Sequence, residues 1–296
     1  MGGMMMNAIE IRNLYMEQGT FELKIDELDI PQGYITGLIG ENGAGKTSLI
    51  YQLLNLKVPK LGDIKVLGKS YNNARAEILS DVGIVFSENH FPEWQSPKKL
   101  EKLFQMYYPR WEHETFIKYL TLFEIPYHQK IKSFSQGMKV KLSLATALGH
   151  QAKLLILDEP TSNLDPTFRL ELLQIFQELM LDEQHTILFS THITSDLESV
   201  ADFVAFIELG ELRLMEEKDK LLSSYQLIRG SDQLLDDELD ELIIGLEGRE
   251  GSFVGITTEG RVFKELFGEK VSCRSITLDE LMYFMKKERL QKTVIR

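Results

Sequence analysis

Apolar and polar residues alternate over much of the first part of the chain. Residues 9–14 and 21–30 largely follow this period of two, which is typical of half-buried strands. We expect the two segments to pair as an antiparallel hairpin. Residues 34–39 then form a short apolar strand, and residues 47–56 have the pattern of a helix. A glycine-rich segment separates them, so the predicted order is strand, loop, helix.

Helices and apolar strands alternate through the middle of the chain. The pattern predicts helices over residues 98–123, 138–148 and 166–181, and strands over residues 153–157 and 186–190. Within the first helical stretch, four residues are expected on one face: Leu100, Leu103, Phe104 and Tyr107. The run 153–157 is apolar without interruption, as in a strand that is buried on both faces of a parallel sheet. This order is typical of an α/β fold.

The pattern of apolar and charged residues changes after about residue 221. An acidic stretch is followed by short apolar segments at 242–244, 253–258 and 262–263, which we interpret as strands, and by a closing helix over 278–287. We therefore predict two domains, residues 1–221 and residues 222–296. The second is expected to be a small α+β appendix.

Composition narrows the classes of protein to which the chain can belong. It has 296 residues, 43% of them hydrophobic and 26% charged, which is the balance of a globular protein. The net charge of −12 argues against general nucleic-acid binding, which depends on basic surface near phosphates. No run approaches the roughly 20 apolar residues of a membrane-spanning helix, and the N-terminus lacks a secretory pattern. We expect a cytoplasmic location.

The glycine-rich segment matches the G-x-x-x-x-G-K-[ST] pattern of a phosphate-binding loop. Its residues are Gly40, Glu41, Asn42, Gly43, Ala44, Gly45, Lys46 and Thr47, with Ser48 next on the helix. Such a loop turns backbone amides and a helix N-terminus toward a triphosphate. We expect Lys46 to neutralise the phosphates and Thr47 to offer a hydroxyl to Mg²⁺. A glycine-rich turn without a ligand is disfavoured by the flanking strand and helix.

Two adjacent carboxylates end the predicted buried strand at residues 153–157. Asp158 follows the strand directly, at the end where α/β folds gather their ligands, and is the second predicted magnesium ligand. Glu159 is placed to orient or deprotonate a water beside the terminal phosphate. An acidic pair is more often a solvated turn, but the apolar run before it argues against that interpretation.

The segment before this strand resembles the LSGGQ signature of ABC ATPases. It comprises Ser135, Gln136, Gly137 and Met138, and it keeps the serine and one glycine of the signature. In that family the signature of one cassette contacts the ATP held by a second, so dimerisation is part of the active site. Ser135 could also simply cap the following helix.

Two further segments resemble elements of the ABC family. Ser162, Asn163, Leu164 and Asp165 resemble the D-loop, and His192 resembles the switch histidine, which contacts the terminal phosphate. The resemblance covers residues 8 to about 220. It implies an α/β P-loop NTPase fold, an ABC cassette with a RecA-like parallel-sheet core, an antiparallel β subdomain and an α-helical subdomain at about 92–150, followed by the C-terminal α+β appendix.

The sequence departs from the family pattern at two positions. A glutamine that meets Mg²⁺ and the membrane subunit is missing. Ser87 occupies its place, and Glu88 or Asn89 could supply the oxygen ligand instead. The aromatic residue that stacks on adenine is replaced by Gln18. Tyr15 or Phe21 could reach the base instead, and we take Tyr15 as the candidate; either ring could equally serve to pack the hairpin.

The resemblance implies the ATP-binding and ATP-hydrolysing subunit of an ABC transporter, using ATP and Mg²⁺. The implied partners are a second ABC cassette and a separate transmembrane permease subunit, which would hold the chain on the inner face of the cell membrane. The aromatic-rich residues 90–111 and the C-terminal appendix resemble bacterial exporters of antimicrobial peptides or phenol-soluble modulins. We therefore expect export of peptides or other amphipathic compounds.

Two other classes of function compete with a transport role. A soluble ABC ATPase that acts on ribosomes or DNA would usually carry two cassettes or a long inserted coiled coil, and this sequence has neither. A nucleotide sensor that does not hydrolyse ATP is disfavoured by Glu159.

Overall fold

The first two strands form the antiparallel hairpin that their alternation predicts. The computed structural model describes residues 6–86, 90–162, 164–181, 185–249 and 251–294. In it β1 (Asn7–Gln18) pairs with β2 (Phe21–Pro31). Met16 and Leu23 are cross-strand partners, and both are buried in the core of the first unit. The alternation therefore separates a core face of the hairpin from a solvent face.

A ten-stranded sheet forms the framework of the first unit. After the hairpin its strands are β3 (Ile35–Ile39), β4 (Leu61–Val66), β5 (Lys69–Ser70), β6 (Val82–Val85), β7 (Leu154–Asp158), β8 (Thr186–Thr191), β9 (Phe203–Glu208) and β10 (Glu211–Glu217). The spatial order is β5-β4-β1-β2-β10-β9-β3-β8-β7-β6. Strands β9, β3, β8, β7 and β6 run parallel, whereas β1, β2, β4 and β5 pair antiparallel. The fully buried β3, β7 and β8 form the centre of the parallel part.

The helices of the first unit lie between its strands along the chain. They are α1 (Lys46–Leu53), α2 (Tyr71–Asp81), α3 (Pro97–Tyr107), α4 (His113–Leu122), α5 (Gln136–Gly149), α6 (Pro166–Leu179) and α7 (Thr194–Val200). Helices α3 and α4 confirm the helical interpretation of residues 98–123. Of the residues predicted on one face of α3, Leu100 is buried, whereas Leu103 and Tyr107 are exposed. In the described part of the chain, no helix is long and apolar enough to cross a membrane.

The chain divides into two compact units, the first ending at Met215 and the second beginning at Glu216. The second unit contains α8 (Lys218–Ser224), β11 (Gln226–Ser231), α9 (Asp237–Asp240), β12 (Ile244–Arg249), β13 (Ser252–Thr257), α10 (Gly260–Phe267), β14 (Val271–Ser275) and α11 (Leu278–Val294). Its strands form an antiparallel sheet in the order β12-β13-β11-β14. The predicted domain boundary after residue 221 falls within α8.

The prediction of a strand at residues 262–263 is wrong, because these residues lie in the helix α10. Phe263 is buried in the core of the second unit, and Phe267 packs against the same core one helical turn later. This spacing of four places both rings on one helix face, and the helix covers the sheet. A two-residue apolar segment cannot distinguish this pattern from that of a short strand.

Candidate active site

The register of three parallel strands brings the motif residues to one edge of the sheet. Ser190 of β8 is paired with Leu38 of β3 on one side and with Asp158 of β7 on the other. The glycine-rich loop, Glu159 and His192 each follow one of these strands. Because the strands are parallel and in register, their carboxyl ends deliver the three segments to the same place.

A cleft of about 830 Å³ opens at this edge. It is lined by Gln18, Phe21, Asn42, Gly43, Gly45, Lys46, Thr47, Ser48, Glu159, Ser162, His192 and Ile193. Most of the candidate ATP-binding residues and both candidate catalytic residues therefore border one cavity. Gly40, Glu41 and Ala44 belong to the same loop but are not part of the lining.

Close packing and backbone conformation explain two of the loop glycines. A Cβ at Gly40 would lie 2.4 Å from the carbonyl oxygen of Ile207, so no larger residue fits. Gly45 precedes α1 with a φ of 113°, in the region that glycine adopts readily. Lys46 begins the helix. Its Nζ donates to the carbonyl oxygens of Gly40 at 2.7 Å and Glu41 at 3.2 Å, and the loop thereby folds around the ammonium group.

The carboxylate of Glu159 joins the lysine to two further lining residues. Its Oε1 lies 3.1 Å from Nζ of Lys46. Its Oε2 accepts hydrogen bonds from Oγ of Ser162 at 2.6 Å and from Nδ1 of His192 at 2.8 Å. Burial acts to raise the pKa of Glu159, but the Ser162 hydrogen bond, the Lys46 charge and the His192 hydrogen bond together lower it below its ordinary value. The carboxylate is therefore ionised at neutral pH.

Ser190 links the two carboxylate residues and was not identified from the sequence. Its hydroxyl donates to Oδ1 of Asp158 at 2.7 Å and accepts from the backbone N–H of Glu159 at 2.9 Å. Both Ser190 and Asp158 are buried. The sequence alone does not single it out, because β8 also contains the hydroxyl residues Thr186 and Thr191.

The ABC transporter family model matches residues 23–162. The bacitracin transport ATP-binding protein BcrA of Enterococcus faecalis is 32% identical over 213 residues, which cover 69% of this chain and 68% of BcrA. The chain belongs to the ABC transporter ATP-binding family.

Other comparisons agree with this ABC membership. The uncharacterized ABC transporter ATP-binding protein YcbN of Bacillus subtilis is 33% identical over 195 residues, or 64% of this chain and 62% of YcbN. The chain thus spans less than two thirds of the length of that relative. The dimeric, post-hydrolysis structure of an ATP-binding cassette bound to ADP and Pi superposes with a TM-score of 0.61, at 17% identity over 71% of this chain and 98% of that one. The predicted ABC cassette fold is confirmed.

The residues predicted to form the signature and the D-loop lie beside one another. The hydroxyl of Ser135 accepts from the backbone N–H of Met138 at 3.2 Å and caps α5, which starts at Gln136. A Cβ at Gly137 would lie 3.7 Å from Cδ2 of Leu164. Asp165 caps α6 by accepting from the N–H of Phe168 at 3.0 Å. Of the described residues in these two segments, Ser162 lines the cleft of the same chain, whereas Ser135, Gln136, Gly137, Met138, Leu164 and Asp165 do not.

The buried carboxylate of Asp196 on α7 hydrogen-bonds to the segment just before the predicted D-loop. Asp196 accepts a hydrogen bond from Oγ1 of Thr161 at 2.7 Å and pairs with Nε of Arg169 at 2.6 Å. It thereby ties α7, which follows His192, to the segment just before the D-loop and to α6. Thr161 lies 35 residues and Arg169 lies 27 residues from Asp196 in the chain. No local motif marks the contact, and it was not predicted from the sequence.

Several predicted residues of the ABC cassette are placed elsewhere or cannot be placed. Tyr15 lies on the other face of the hairpin from Met16, where its hydroxyl donates to Glu22 at 3.2 Å. Cleft-facing positions of β1 and β2 belong instead to Gln18 and Phe21. The prediction that Tyr15 meets the nucleotide therefore conflicts with the strand register. Ser87, Glu88, Asn89 and Asn163 lie outside the described residues.

The donor set of the cassette fits magnesium only in company with phosphate. Thr47 lines the cleft, and the buried carboxylate of Asp158 lies at the adjacent strand end. Across the described ranges, no group of three His, Cys, Asp or Glu side chains could hold a metal by itself. Mg²⁺ commonly takes one or two protein oxygens together with substrate phosphates and water. The chemistry of Thr47 and Asp158 matches that requirement.

Proposed function

We propose that the chain is the ATP-hydrolysing subunit of an ABC transporter. The observation that carries this proposal is the ion pair between Lys46 of the glycine-rich loop and Glu159, inside the cleft that His192 and Ser162 also line. Phosphoryl transfer needs positioned charges more than covalent chemistry from the protein. This cleft brings together a fixed cation, a carboxylate and the glycine-rich loop.

The roles of the cleft residues follow from their chemistry. The amides of the lining residues 42, 43 and 45–48 and the ammonium of Lys46 bind the triphosphate, which competes with Glu159 for the lysine. Thr47 and Asp158 hold Mg²⁺, which neutralises phosphate charge when bound. Glu159 orients the attacking water and accepts its proton, and His192 hydrogen-bonds to Glu159 and the terminal phosphate.

A second cassette completes this site in our proposal. Ser135, Gln136, Gly137 and Met138 present a serine hydroxyl and the N-terminus of α5, which is a favourable arrangement for an anion. Because these residues do not line the cleft of their own chain, they are available to another copy. The superposed cassette structure is dimeric and binds ADP and Pi, which supports the pairing.

A separate transmembrane subunit is the other proposed partner. BcrA is named for bacitracin transport, which supports export of peptides or other amphipathic compounds. Apolar side chains of the segment 92–150 are exposed, Trp94, Met106 and Tyr107 among them. Exposed aromatic and methionine side chains are typical of protein interfaces. We place the chain at the inner face of the cell membrane, with residues 1–221 as the cassette and 222–296 as an accessory domain.

The test is the substitution Glu159→Gln. We expect phosphate release to fall by about 100-fold or more, because the amide cannot accept the proton, while ATP still binds and holds two chains together. Phosphate release and light scattering with ATP measure the two effects. Glu178→Gln makes the same chemical change on an exposed face of α6 and should leave both unchanged. Equal turnover by Glu159→Gln and the parent would falsify the assignment.

A further inference from the structure

Resting on the proposed function, we propose that the site accepts ATP and GTP with little discrimination. The triphosphate end of the cleft is built from the glycine-rich loop, Lys46 and Glu159. The remaining wall, which must face the base, is formed by the ends of β1 and β2. Its composition decides how strongly the base is recognised.

The register of the hairpin determines which side chains reach that wall. Gln18 and Phe21 are cross-strand partners on the face that continues from Met16 and Leu23. Both line the cleft. Side chains at successive positions of a strand point to opposite faces, so Tyr15 and Glu17 point away from the cleft. A glutamine amide therefore occupies the place at which an aromatic ring could cover the base.

Phe21 offers one ring but no selectivity. Among the lining residues that the structure describes, it is the one aromatic side chain. Its Cζ lies 3.1 Å from the position of a Cβ on Gly45, and it packs against the hydrophobic core. The ring is thus held at the base of the loop and can contact only one side of a nucleobase. Stacking of this kind tolerates every base, because each base has a π face.

Gln18 also contributes a contact that does not distinguish adenine from guanine. Its Oε1 accepts a hydrogen bond from Nζ of Lys57 at 2.5 Å, which leaves the amide nitrogen as the group that can meet a ligand. Adenine and guanine both present ring nitrogens that accept a hydrogen bond. Strong discrimination needs buried groups that only one substrate satisfies, and Gln18 is exposed. Affinity then comes mainly from the phosphates.

The experiment measures dissociation constants of ATP and GTP by calorimetry with Mg²⁺, together with kcat/KM for each. We expect the two nucleotides to differ by less than about fivefold in both measures. Gln18→Tyr should tighten binding of ATP and GTP alike by about tenfold, because it adds a ring to the face that Phe21 leaves open and stacking tolerates either base. Glu17→Tyr places the same ring on the opposite face of β1 and should change nothing.

Three outcomes would overturn the inference. A preference for ATP over GTP of more than about 50-fold in the parent would show that the wall formed by the ends of β1 and β2 distinguishes adenine from guanine. An effect of Glu17→Tyr equal to that of Gln18→Tyr would show that position on the wall is irrelevant. Failure to bind either triphosphate would defeat the proposed function as well, and is distinguishable from the first two results. Thermal melts check that each variant is folded.

Discussion

Glu159 has a backbone φ of 50°, in the left-handed region that residues other than glycine seldom adopt. The hydroxyl of Ser190 accepts from the Glu159 N–H in this conformation and donates to the carboxylate of Asp158. One buried side chain therefore holds both members of the acidic pair. If the hydroxyl is removed, a buried carboxylate loses a donor and a backbone N–H loses its acceptor, and both losses are costly.

The contribution of the Ser190 hydroxyl can be isolated with the variants Ser190→Thr and Ser190→Val. Threonine and valine have nearly the same shape, so any cost of the extra methyl group in this buried strand is common to both. We expect the valine variant to have a free energy of unfolding about 2 kcal/mol lower than that of the threonine variant. Urea unfolding of the chain without nucleotide measures this difference. Equal stability of the two variants would remove the proposed bridge.

At the scale of elements, the period of the sequence predicted most helices of the first unit and the strands β1, β2, β3, β7 and β8. It did not predict β4, β5, β6, β9 and β10. It was less informative for exposed faces. Leu103 and Tyr107 share a face of α3 that the structure leaves exposed, since apolar periodicity does not reveal whether a partner covers it. Site residues that belong to a local sequence motif could be predicted. The contacts of Ser190 and Asp196 could not, because they depend on which strands and helices become neighbours in the fold.

The end of α5 carries a histidine whose titration should be visible in stability. Burial lowers the pKa of His150 to about 4, and its ring stacks on Tyr108. In the unfolded chain the pKa of His150 is about 6.5. Below that pH the unfolded chain binds a proton at His150 that the folded chain does not bind. The contribution of His150 to the free energy of unfolding is therefore fully present above about pH 6.5 and is lost as the pH falls toward the pKa of the folded state. Between about pH 7.5 and pH 5.5 the loss is about 1.4 kcal/mol.

The variant His150→Phe should lack this component, because phenylalanine fills the same stacked position without a titrating group. Urea unfolding at the two pH values gives the change in the free energy of unfolding for each chain. His128→Phe alters an exposed histidine and should retain the pH dependence of the parent. If His150→Phe loses as much stability on acidification as the parent, His150 is not the buried titrating group.

At the scale of the whole molecule, the parallel strands deliver the glycine-rich loop, Glu159 and His192 to one cleft, whereas the turn at Ser135 is absent from the lining of that cleft. A single chain thus holds two parts of the proposed ATPase at separate places. A mixture of chains that each lack one of the two parts shows whether two copies join them.

Mixing two inactive variants tests the proposed assembly of the site from two chains. Lys46→Met removes the ammonium from the cleft, and Ser135→Ala removes the signature hydroxyl; we expect each alone to lose nearly all ATP hydrolysis. In an equimolar mixture half of the random pairs contain one of each, and each such pair has one intact site, so about a quarter of parental phosphate release should return. Lys46→Met mixed with a chain carrying both changes should restore nothing. If Ser135→Ala hydrolyses ATP normally at a concentration where light scattering finds only monomers, each chain completes its own site, and the trans arrangement is refuted.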